Sequence, residues 1–298
     1  MSERVTIVGA GLMGAGLAAV FARGGHAVTV TDPVDAALKT LPERVQQILF
    51  SIGAPARDAD RVAVAASLKE AVAGADLVIE AAPEKLELKQ QLFAEIEAAA
   101  RPDCILASNT SVIPIGRVMA RVKRKHRALG THWWNPPYLV PLVEVIQTAE
   151  TDPAIVTRMI ELLAKLGKVP VHVKKDVPGF VGNRLQHALW REAISLVENG
   201  VCDAATVDLV VKNSFGARLA VLGPLENADL VGTDLTLDIH RQVMGDLEDS
   251  HTPSPFLENL VAEGKLGFKS HEGFRNWTDA EIADLRARIV SHLKKSFG

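Results

Sequence analysis

Features that would direct the interpretation elsewhere are scarce in this chain of 298 residues. Its two cysteines, Cys104 and Cys202, form no C-x-x-C pair, so neither a disulfide framework nor a zinc or other metal site is expected. No apolar run approaches about 18 residues, which argues against a membrane partner. A net charge of −3 does not favour nucleic acid as a partner. Because the chain enters a strand pattern at once, without a basic leader, we expect a cytoplasmic protein.

Hydrophobic residues make up 48% of the chain, enough for a sizeable core, and its length allows two domains. In the first part, short runs rich in Val and Ile alternate with stretches of helical period. The predicted strands are 5–8, 28–31, 77–80, 105–108, 128–131, 142–146 and 169–173, and the predicted helices are 12–23, 84–100, 113–122 and 153–166. This alternation predicts an α/β fold with a doubly wound, mostly parallel sheet of six to eight strands.

The pattern changes near Pro178. From Phe180 onward the period is helical and the strand signals stop, with helical segments predicted over 180–199, 203–215, 224–245, 253–263 and 278–296. Gly200 follows the first of these as the expected left-handed cap residue. We therefore predict a sheet domain over residues 1–177 and an all-α domain over residues 178–298.

The segment Gly9-Ala10-Gly11-Leu12-Met13-Gly14 follows the first predicted strand and opens the first predicted helix. Alone, a G-x-G-x-x-G pattern is weak evidence, because glycines also form ordinary turns. Between a strand and a helix, however, Gly9 permits the tight turn, Gly11 the close approach of a pyrophosphate, and Gly14 the packing of the helix on the sheet. The amides at Leu12 and Met13 then point at the phosphates. This context predicts a Rossmann-type dinucleotide site.

Asp32 ends the second predicted strand, eighteen residues after Gly14. A carboxylate there accepts both hydroxyls of the adenosine ribose and repels a 2′-phosphate, and no Arg follows closely to neutralise that phosphate. The alternative is a helix cap, since Asp before Pro33 is a common start signal. The combined pattern favours NAD over NADP as the cofactor.

A histidine and a glutamate are the candidates for acid–base chemistry. His132 lies at the carboxyl end of a predicted strand, where open α/β sheets bind ligands, although a structural hydrogen bond is an equal alternative for a single histidine. Glu144 lies inside the apolar run Leu142-Val143-Glu144-Val145-Ile146, where an unpaired carboxylate is costly. A His132–Glu144 pair would satisfy Glu144 and orient the imidazole. An exposed strand end is the alternative for Glu144.

Polar residues follow the 105–108 strand as Ser108-Asn109-Thr110-Ser111. Ser111 is the candidate for orienting a substrate oxygen and Asn109 for the turn, while capping of the next helix is an alternative role that is compatible with both. Asn183 begins the long helix just past the domain junction, where it can reach back toward the cleft.

Together, these motifs resemble those of the 3-hydroxyacyl-CoA dehydrogenase family along nearly the whole chain. The matching segments are GAGLMGAG at 9–16, Ser108-Asn109-Thr110-Ser111, His132-x-x-Asn135-Pro136, Leu142-Val143-Glu144-Val145, Asp176-x-Pro178-Gly179-Phe180-x-x-Asn183-Arg184 and Gly267-Phe268-Lys269-x-x-Glu272-Gly273-Phe274. The resemblance implies NAD-dependent oxidation of an alcohol, with His132 as the base oriented by Glu144, and with Ser111 and Asn183 at the substrate oxygen. It also implies a homodimer formed through the helical domain, and cofactor contacts from Glu84, Lys89, Ser111, Asn135 and Lys269.

Within that family, the chain is more similar to a branch that acts on small hydroxy acids than to the acyl-CoA enzymes. The stretch 33–68 is shorter than the lysine-rich hairpin at which acyl-CoA members bind the CoA nucleotide, and it contains a single lysine, Lys39. Segments 133–138 and 216–224 are similar to those of gulonate 3-dehydrogenase and its λ-crystallin relatives, carnitine dehydrogenase and 5-formyl-3-hydroxy-2-methylpyridine 4-carboxylate 5-dehydrogenase. The expected substrate is therefore a small hydroxy carboxylate.

Arg218 stands in a small, apolar stretch, Gly216-Ala217-Arg218-Leu219-Ala220, and is the candidate for binding the substrate carboxylate. The alternative is a surface arginine whose stem packs on a helix.

Two other functions compete: a 3-hydroxybutyryl-CoA dehydrogenase, and a structural protein like some λ-crystallin relatives. Retention of His132, Glu144, Ser111 and Asn183 argues against the structural role.

Overall fold

Eight strands form one sheet in the computed structural model, which describes residues 2–297. The spatial order is β3-β2-β1-β4-β5-β6-β7-β8, and all neighbouring pairs are parallel except β6 with β7. In chain order the strands are β1 (Arg4–Val8), β2 (Ala27–Thr31), β3 (Val62–Val64), β4 (Leu77–Glu80), β5 (Ile105–Ser108), β6 (Ala128–Trp133), β7 (Leu142–Ile146) and β8 (Val169–Val173). The predicted α/β class with a mostly parallel sheet is confirmed.

Helices cover both faces of this sheet. They are α1 (Leu12–Arg23), α2 (Asp35–Ser51), α3 (Leu68–Ala73), α4 (Leu86–Ala99), α5 (Ile115–Val118) and α6 (Pro153–Lys165). Buried side chains of α1, α2 and α6 form one apolar core with one set of strand residues, and those of α3, α4 and α5 form a second core with the alternate set. Because successive strand residues point to opposite faces, the sheet is doubly wound.

The chain divides into two units, residues 2–184 with 291–297, and residues 185–290. The first contains the sheet, and the second is helical, as expected for the C-terminal part. The helices after β8 are α7 (Gly182–Glu198), α8 (Ala204–Asn213), α9 (Pro224–Val231), α10 (Thr233–Val243), α11 (Pro255–Ala262) and α12 (Asp279–Phe297). The start of α7 (residues 182–184) and the end of α12 (residues 291–297) therefore belong to the unit that contains the sheet.

Local backbone geometry explains where predicted elements differ from the structure. The helix predicted over 180–199 begins later, because Phe180 has a φ of +50°, in the left-handed region. The segment predicted over 224–245 is interrupted at Gly232, which has a φ of +103°. The helix predicted over 113–122 is reduced to α5, after which the chain turns toward Glu97, the acceptor of the Lys123 and Arg124 amides.

The part of the chain that the structure describes contains neither a membrane-spanning helix nor a cluster of metal-ligating side chains. No helix among residues 2–297 has both the length and the apolar content needed to cross a membrane. Over the same residues, no group of three or more His, Cys, Asp or Glu side chains is arranged to hold a metal ion. Cys104 and Cys202 are both free thiols.

Replacing Gly14 with Ala is expected to destabilise the sheet unit. A Cβ at Gly14 would lie 1.8 Å from the carbonyl oxygen of Gly9, so the turn or the helix has to move. Such overpacking costs about 1–3 kcal/mol, occasionally more, and lowers Tm in thermal unfolding of the ligand-free protein. Gly11→Ala is the matched control, because a Cβ there would meet no atom within 4 Å. Equal Tm values for the two variants would contradict this account.

Candidate active site

The turn between β1 and α1 has the geometry of an anion site. Gly9 has a φ of +114°, which only glycine adopts readily. The first hydrogen bond of α1 runs from Ala15 N to Gly11 O (3.0 Å), so the amides before Ala15 have no partner within the helix. A Cβ on Gly11 would meet open space, which leaves room for a pyrophosphate against the turn. These residues fit a bound dinucleotide.

Asp32 follows β2 and braces the same turn. Its Oδ2 accepts a hydrogen bond from Ala10 N (2.7 Å) and its Oδ1 accepts one from Val34 N (2.8 Å). Since each carboxylate oxygen has a second lone pair, ribose hydroxyls can still be accepted. From α2, Arg44 donates to Ala10 O (2.7 Å) and supports the turn from the other side. No sequence motif marked Arg44, because only the packing of α2 on α1 brings it there.

A buried ion cluster lies at the carboxyl ends of β4 and β5. Glu80 accepts hydrogen bonds from Lys89 Nζ at Oε1 and from Ser108 Oγ at Oε2, both at 2.6 Å. Lys89 Nζ also lies 3.3 Å from Glu84 Oε2, so the buried ammonium has two carboxylate partners. The cluster ties α4 to both strands, since a buried charge requires compensation. Sequence reasoning missed Glu80, although a glutamate in a buried apolar run was the signal that marked Glu144.

Glu84 organises the loop that carries Ser111. Its Oε1 accepts hydrogen bonds from Ser111 N (3.0 Å) and Thr110 Oγ1 (2.5 Å). Burial raises the pKa of Glu84, but the bond from Thr110, the charge of Lys89 and the loop amides outweigh it, so the pKa lies below its ordinary value. From the start of α7, Asn183 Nδ2 donates to Ser111 O (2.8 Å). The structure thus brings Ser111, Glu84, Lys89 and Asn183 together.

His132 and Glu144 face each other across the antiparallel pair β6 and β7. His132 Nδ1 lies 2.7 Å from Glu144 Oε2, and the two residues are 4% and 1% exposed. Glu144 Oε1 also accepts the amides of Val181 (2.9 Å) and Gly182 (3.1 Å). Burial raises the pKa of Glu144, but the hydrogen bonds from His132 and these amides outweigh it and lower the pKa below its ordinary value. An ionised carboxylate at Nδ1 requires the proton on Nδ1, which leaves Nε2 as the basic nitrogen.

Aromatic rings enclose this histidine. The ring centroids of Trp134 and Phe180 lie 5.3 and 5.7 Å from the imidazole centroid of His132. At these distances the two rings restrict rotation of the imidazole. The sequence assigned neither ring a place beside His132, because their approach depends on the loop after β6 and on the left-handed turn before α7. On the same strand, Trp133 N donates to Asn109 Oδ1 (3.0 Å), which ties β6 to the Ser111 loop. Asn135 follows directly and is exposed.

Two predicted site residues, Arg218 and Lys269, belong to the unit of residues 185–290. Arg218 is exposed, and its guanidinium forms no ion pair within this unit. Lys269 is also exposed and follows Gly267, which has a φ of +70°. Both side chains are therefore accessible to a ligand.

Relatives of known activity match this chain over most of its length. It is 36% identical to 5-formyl-3-hydroxy-2-methylpyridine 4-carboxylate 5-dehydrogenase of Mesorhizobium japonicum, over 98% of this chain and 96% of that protein. It is 41% identical to L-carnitine dehydrogenase of Streptomyces griseus subsp. griseus, over 77% and 70%. It is 36% identical to 3-hydroxybutyryl-CoA dehydrogenase of Bradyrhizobium diazoefficiens, over 95% and 98%.

Structural comparison and family models agree with these matches. A crystal structure of 5-formyl-3-hydroxy-2-methylpyridine 4-carboxylic acid 5-dehydrogenase, described as an NAD+ dependent dismutase, superposes with a TM-score of 0.91 at 35% identity, covering 99% of this chain and 97% of that one. The model of the 3-hydroxyacyl-CoA dehydrogenase NAD binding domain matches residues 4–177, and that of the C-terminal domain matches residues 179–277. The chain therefore belongs to the 3-hydroxyacyl-CoA dehydrogenase family of NAD-dependent enzymes that act on CH–OH groups.

Proposed function

We propose that this protein oxidises the alcohol of a small hydroxy carboxylate, with His132 as the general base and Glu144 as the residue that orients it. The observation that carries the proposal is the 2.7 Å contact between His132 Nδ1 and the buried carboxylate of Glu144. Because Nδ1 is engaged, Nε2 is the nitrogen that takes the hydroxyl proton. NAD, when bound, supplies the hydride acceptor.

Ser111 and Asn183 are proposed to hold the substrate oxygen. Asn183 uses one Nδ2 hydrogen on Ser111 O, so a second hydrogen remains to donate to a ligand. The Ser111 hydroxyl lies on a loop whose backbone is fixed by Glu84, and its side chain is exposed. A donor held in this way costs little reorganisation when substrate binds.

The cofactor residues follow from the same proposal. The Asp32 carboxylate accepts hydrogen bonds from the hydroxyls of the adenosine ribose. The buried Lys89 acts on the cofactor site through Glu84, with which it forms an ion pair. The full proposed set is Gly9, Gly11, Leu12, Met13, Gly14, Asp32, Glu84, Lys89, Ser111, Asn135 and Lys269.

The proposed substrate class rests on the relatives and on Arg218. Two of the matched enzymes are named for a pyridine carboxylate and for carnitine, both small molecules that contain a carboxylate. The exposed guanidinium of Arg218 offers two parallel hydrogen bonds to such a group. The second candidate is a 3-hydroxybutyryl-CoA dehydrogenase, favoured by the nearly full-length match to an enzyme of that name.

The cytoplasmic location stays a prediction.

We also propose a homodimer formed through the helical unit. Apolar side chains project to solvent around α9, where Val221 is 90% exposed and Leu225 is 79% exposed. A contiguous group of exposed apolar side chains is typical of an interaction surface. A second copy of the chain would remove them from water.

Removing either member of the His132–Glu144 pair should slow the reaction. His132→Ala is expected to lower kcat by about 10²–10⁴-fold, the contribution of a general base. Glu144→Gln should also be slow, and the double variant should be little worse than His132→Ala, because residues acting as a unit are not additive. Steady-state kinetics measure this, with the NADH Kd as a check on folding and Glu150→Gln, an exposed carboxylate, as the control. Full activity in a folded Glu144→Gln variant would rule out the pair.

The substrate class is tested by an NAD-linked screen of free hydroxy acids beside 3-hydroxybutyryl-CoA. With the best acid, Arg218→Met should raise KM at least about tenfold, because charge-assisted hydrogen bonds contribute about 1.5–3 kcal/mol. The Kd of NADH should hardly change, and Arg286→Met, another exposed arginine, should leave KM alone. A preference for the CoA thioester over every acid would favour the second candidate, and an unchanged KM would remove Arg218 from the site.

The proposed dimer should depend on the apolar surface around α9. Introducing two carboxylates by Val221→Asp and Leu225→Glu is expected to convert the protein to a monomer, because charges are costly inside an apolar interface. Sedimentation velocity measures the mass directly. Phe50→Glu is the control, since Phe50 is exposed on α2 of the other unit. A wild-type protein that sediments as a monomer at micromolar concentration would contradict the proposal.

A further inference from the structure

The loop of residues 134–141 joins the two antiparallel strands of the active site and carries Asn135. It turns at Pro136, whose carbonyl accepts the amides of Leu139 and Val140, each at 3.0 Å. On one side it lies directly against α1, because a Cβ on Gly16 would come within 2.5 Å of Pro137 Cγ. The position of this loop therefore determines where Asn135 stands relative to the glycine turn that α1 follows.

A single ammonium group joins this loop to the connection between α6 and β8. Lys168 Nζ donates to Pro137 O (2.5 Å) and to Val140 O (3.1 Å), so it bridges two carbonyls of the turn. It also lies 5.7 Å from the centroid of the Trp133 ring, within the range of a cation–π contact. The next residue, Val169, donates its amide to Pro141 O (2.9 Å).

No carboxylate of residues 2–297 lies within ion-pairing distance of Lys168, which is half-buried. Burial, and then the positive charge of Arg23 on α1, lower the pKa of Lys168 to about 8. The cation is thus held by two carbonyl dipoles and an aromatic face. An apolar side chain would avoid this cost of burying a charge, so stability alone does not account for a lysine here.

We infer that Lys168 is a positioning residue, whose ammonium holds the 134–141 loop in the conformation that presents Asn135 to the cofactor. It acts through the loop carbonyls and touches neither substrate nor the reacting atoms. The inference rests on the proposed contact between Asn135 and NAD and, for the loop itself, on the two hydrogen bonds that Lys168 donates to it.

The test compares Lys168→Met and Lys168→Arg with Lys165→Met, an exposed lysine at the end of α6, in the full-length protein. Hydrogen–deuterium exchange of the Leu139 and Val140 amides reports the loop, and NADH fluorescence titration reports its effect on the cofactor. Lys168→Met should speed exchange of both amides and raise the NADH Kd about tenfold near pH 7, the loss of a charge-assisted hydrogen bond. Lys168→Arg should restore most of the affinity, and the control should match the wild type.

A pH series separates the charge from the bulk of the side chain. In the wild type the ammonium predominates below about pH 8 and the neutral amine above it, so the NADH affinity should weaken between about pH 7 and pH 9.5. Lys168→Arg stays charged over that range and should show a flatter profile. If Lys168→Met does not fold, this comparison still decides, because identical profiles for wild type and Lys168→Arg would refute the inference.

The two proposals fail in different ways. Unchanged amide exchange in a folded Lys168→Met variant would show that Lys168 does not hold the loop. Faster exchange with a wild-type NADH Kd would show that Lys168 holds the loop as inferred, and that the contact proposed for Asn135 is what is wrong.

Discussion

A charged side chain buried inside a sheet needs hydrogen-bond or ion-pair partners. Two buried glutamates, Glu144 and Glu80, take their partners from most of the elements that form the candidate site. Glu144 takes a hydrogen bond from His132 and two from the amides that precede and begin α7. Glu80 takes hydrogen bonds from Lys89 and Ser108, and so joins two strand ends to α4. Removing one partner of such a buried pair costs on the order of 3–5 kcal/mol, so each glutamate strongly favours one arrangement of its neighbours.

These two centres meet at Ser111. Lys89 forms ion pairs with both Glu80 and Glu84, and the Glu84 carboxylate accepts a hydrogen bond from the backbone amide of Ser111. On the other side, the amides bound by Glu144 immediately precede Asn183, which donates to Ser111 O. The side chains proposed for the base and for the substrate oxygen are therefore positioned by one continuous set of polar contacts, all within the unit that contains the sheet.

The antiparallel turn from β6 to β7 is the departure from an otherwise parallel sheet that creates the pair. A parallel strand would need a long crossover, whereas a short loop places His132 and Glu144 in register on adjacent strands. The same loop supplies Asn135, and Lys168 binds two of its carbonyls, those of Pro137 and Val140. One short connection thus sets the register of the pair proposed for the chemistry and carries Asn135, which is proposed to contact the cofactor.

Much of this was available from the sequence. Runs of Val and Ile separated by helical periods predicted the strands of the sheet except β3, whose three residues are too short for a periodic signal. The glycine spacing predicted the turn at β1, and a carboxylate in an apolar run predicted a partner for Glu144. These features are local, because propensity, periodicity and the cost of an unpaired charge are properties of a few consecutive residues.

By itself, then, the sequence determined the α/β class, the helical C-terminal part, the glycine turn and the need for a partner at Glu144. Only the tertiary structure decided which groups meet across long separations: Glu80 with Ser108, Arg44 with the glycine turn, and Lys168 with the loop at Pro137. The direction of β7, and with it the register that sets His132 opposite Glu144, was also decided there. The physical reason is that a side chain and its sequence neighbours determine whether it needs a partner, whereas the packing of helices and strands determines which residue that partner is.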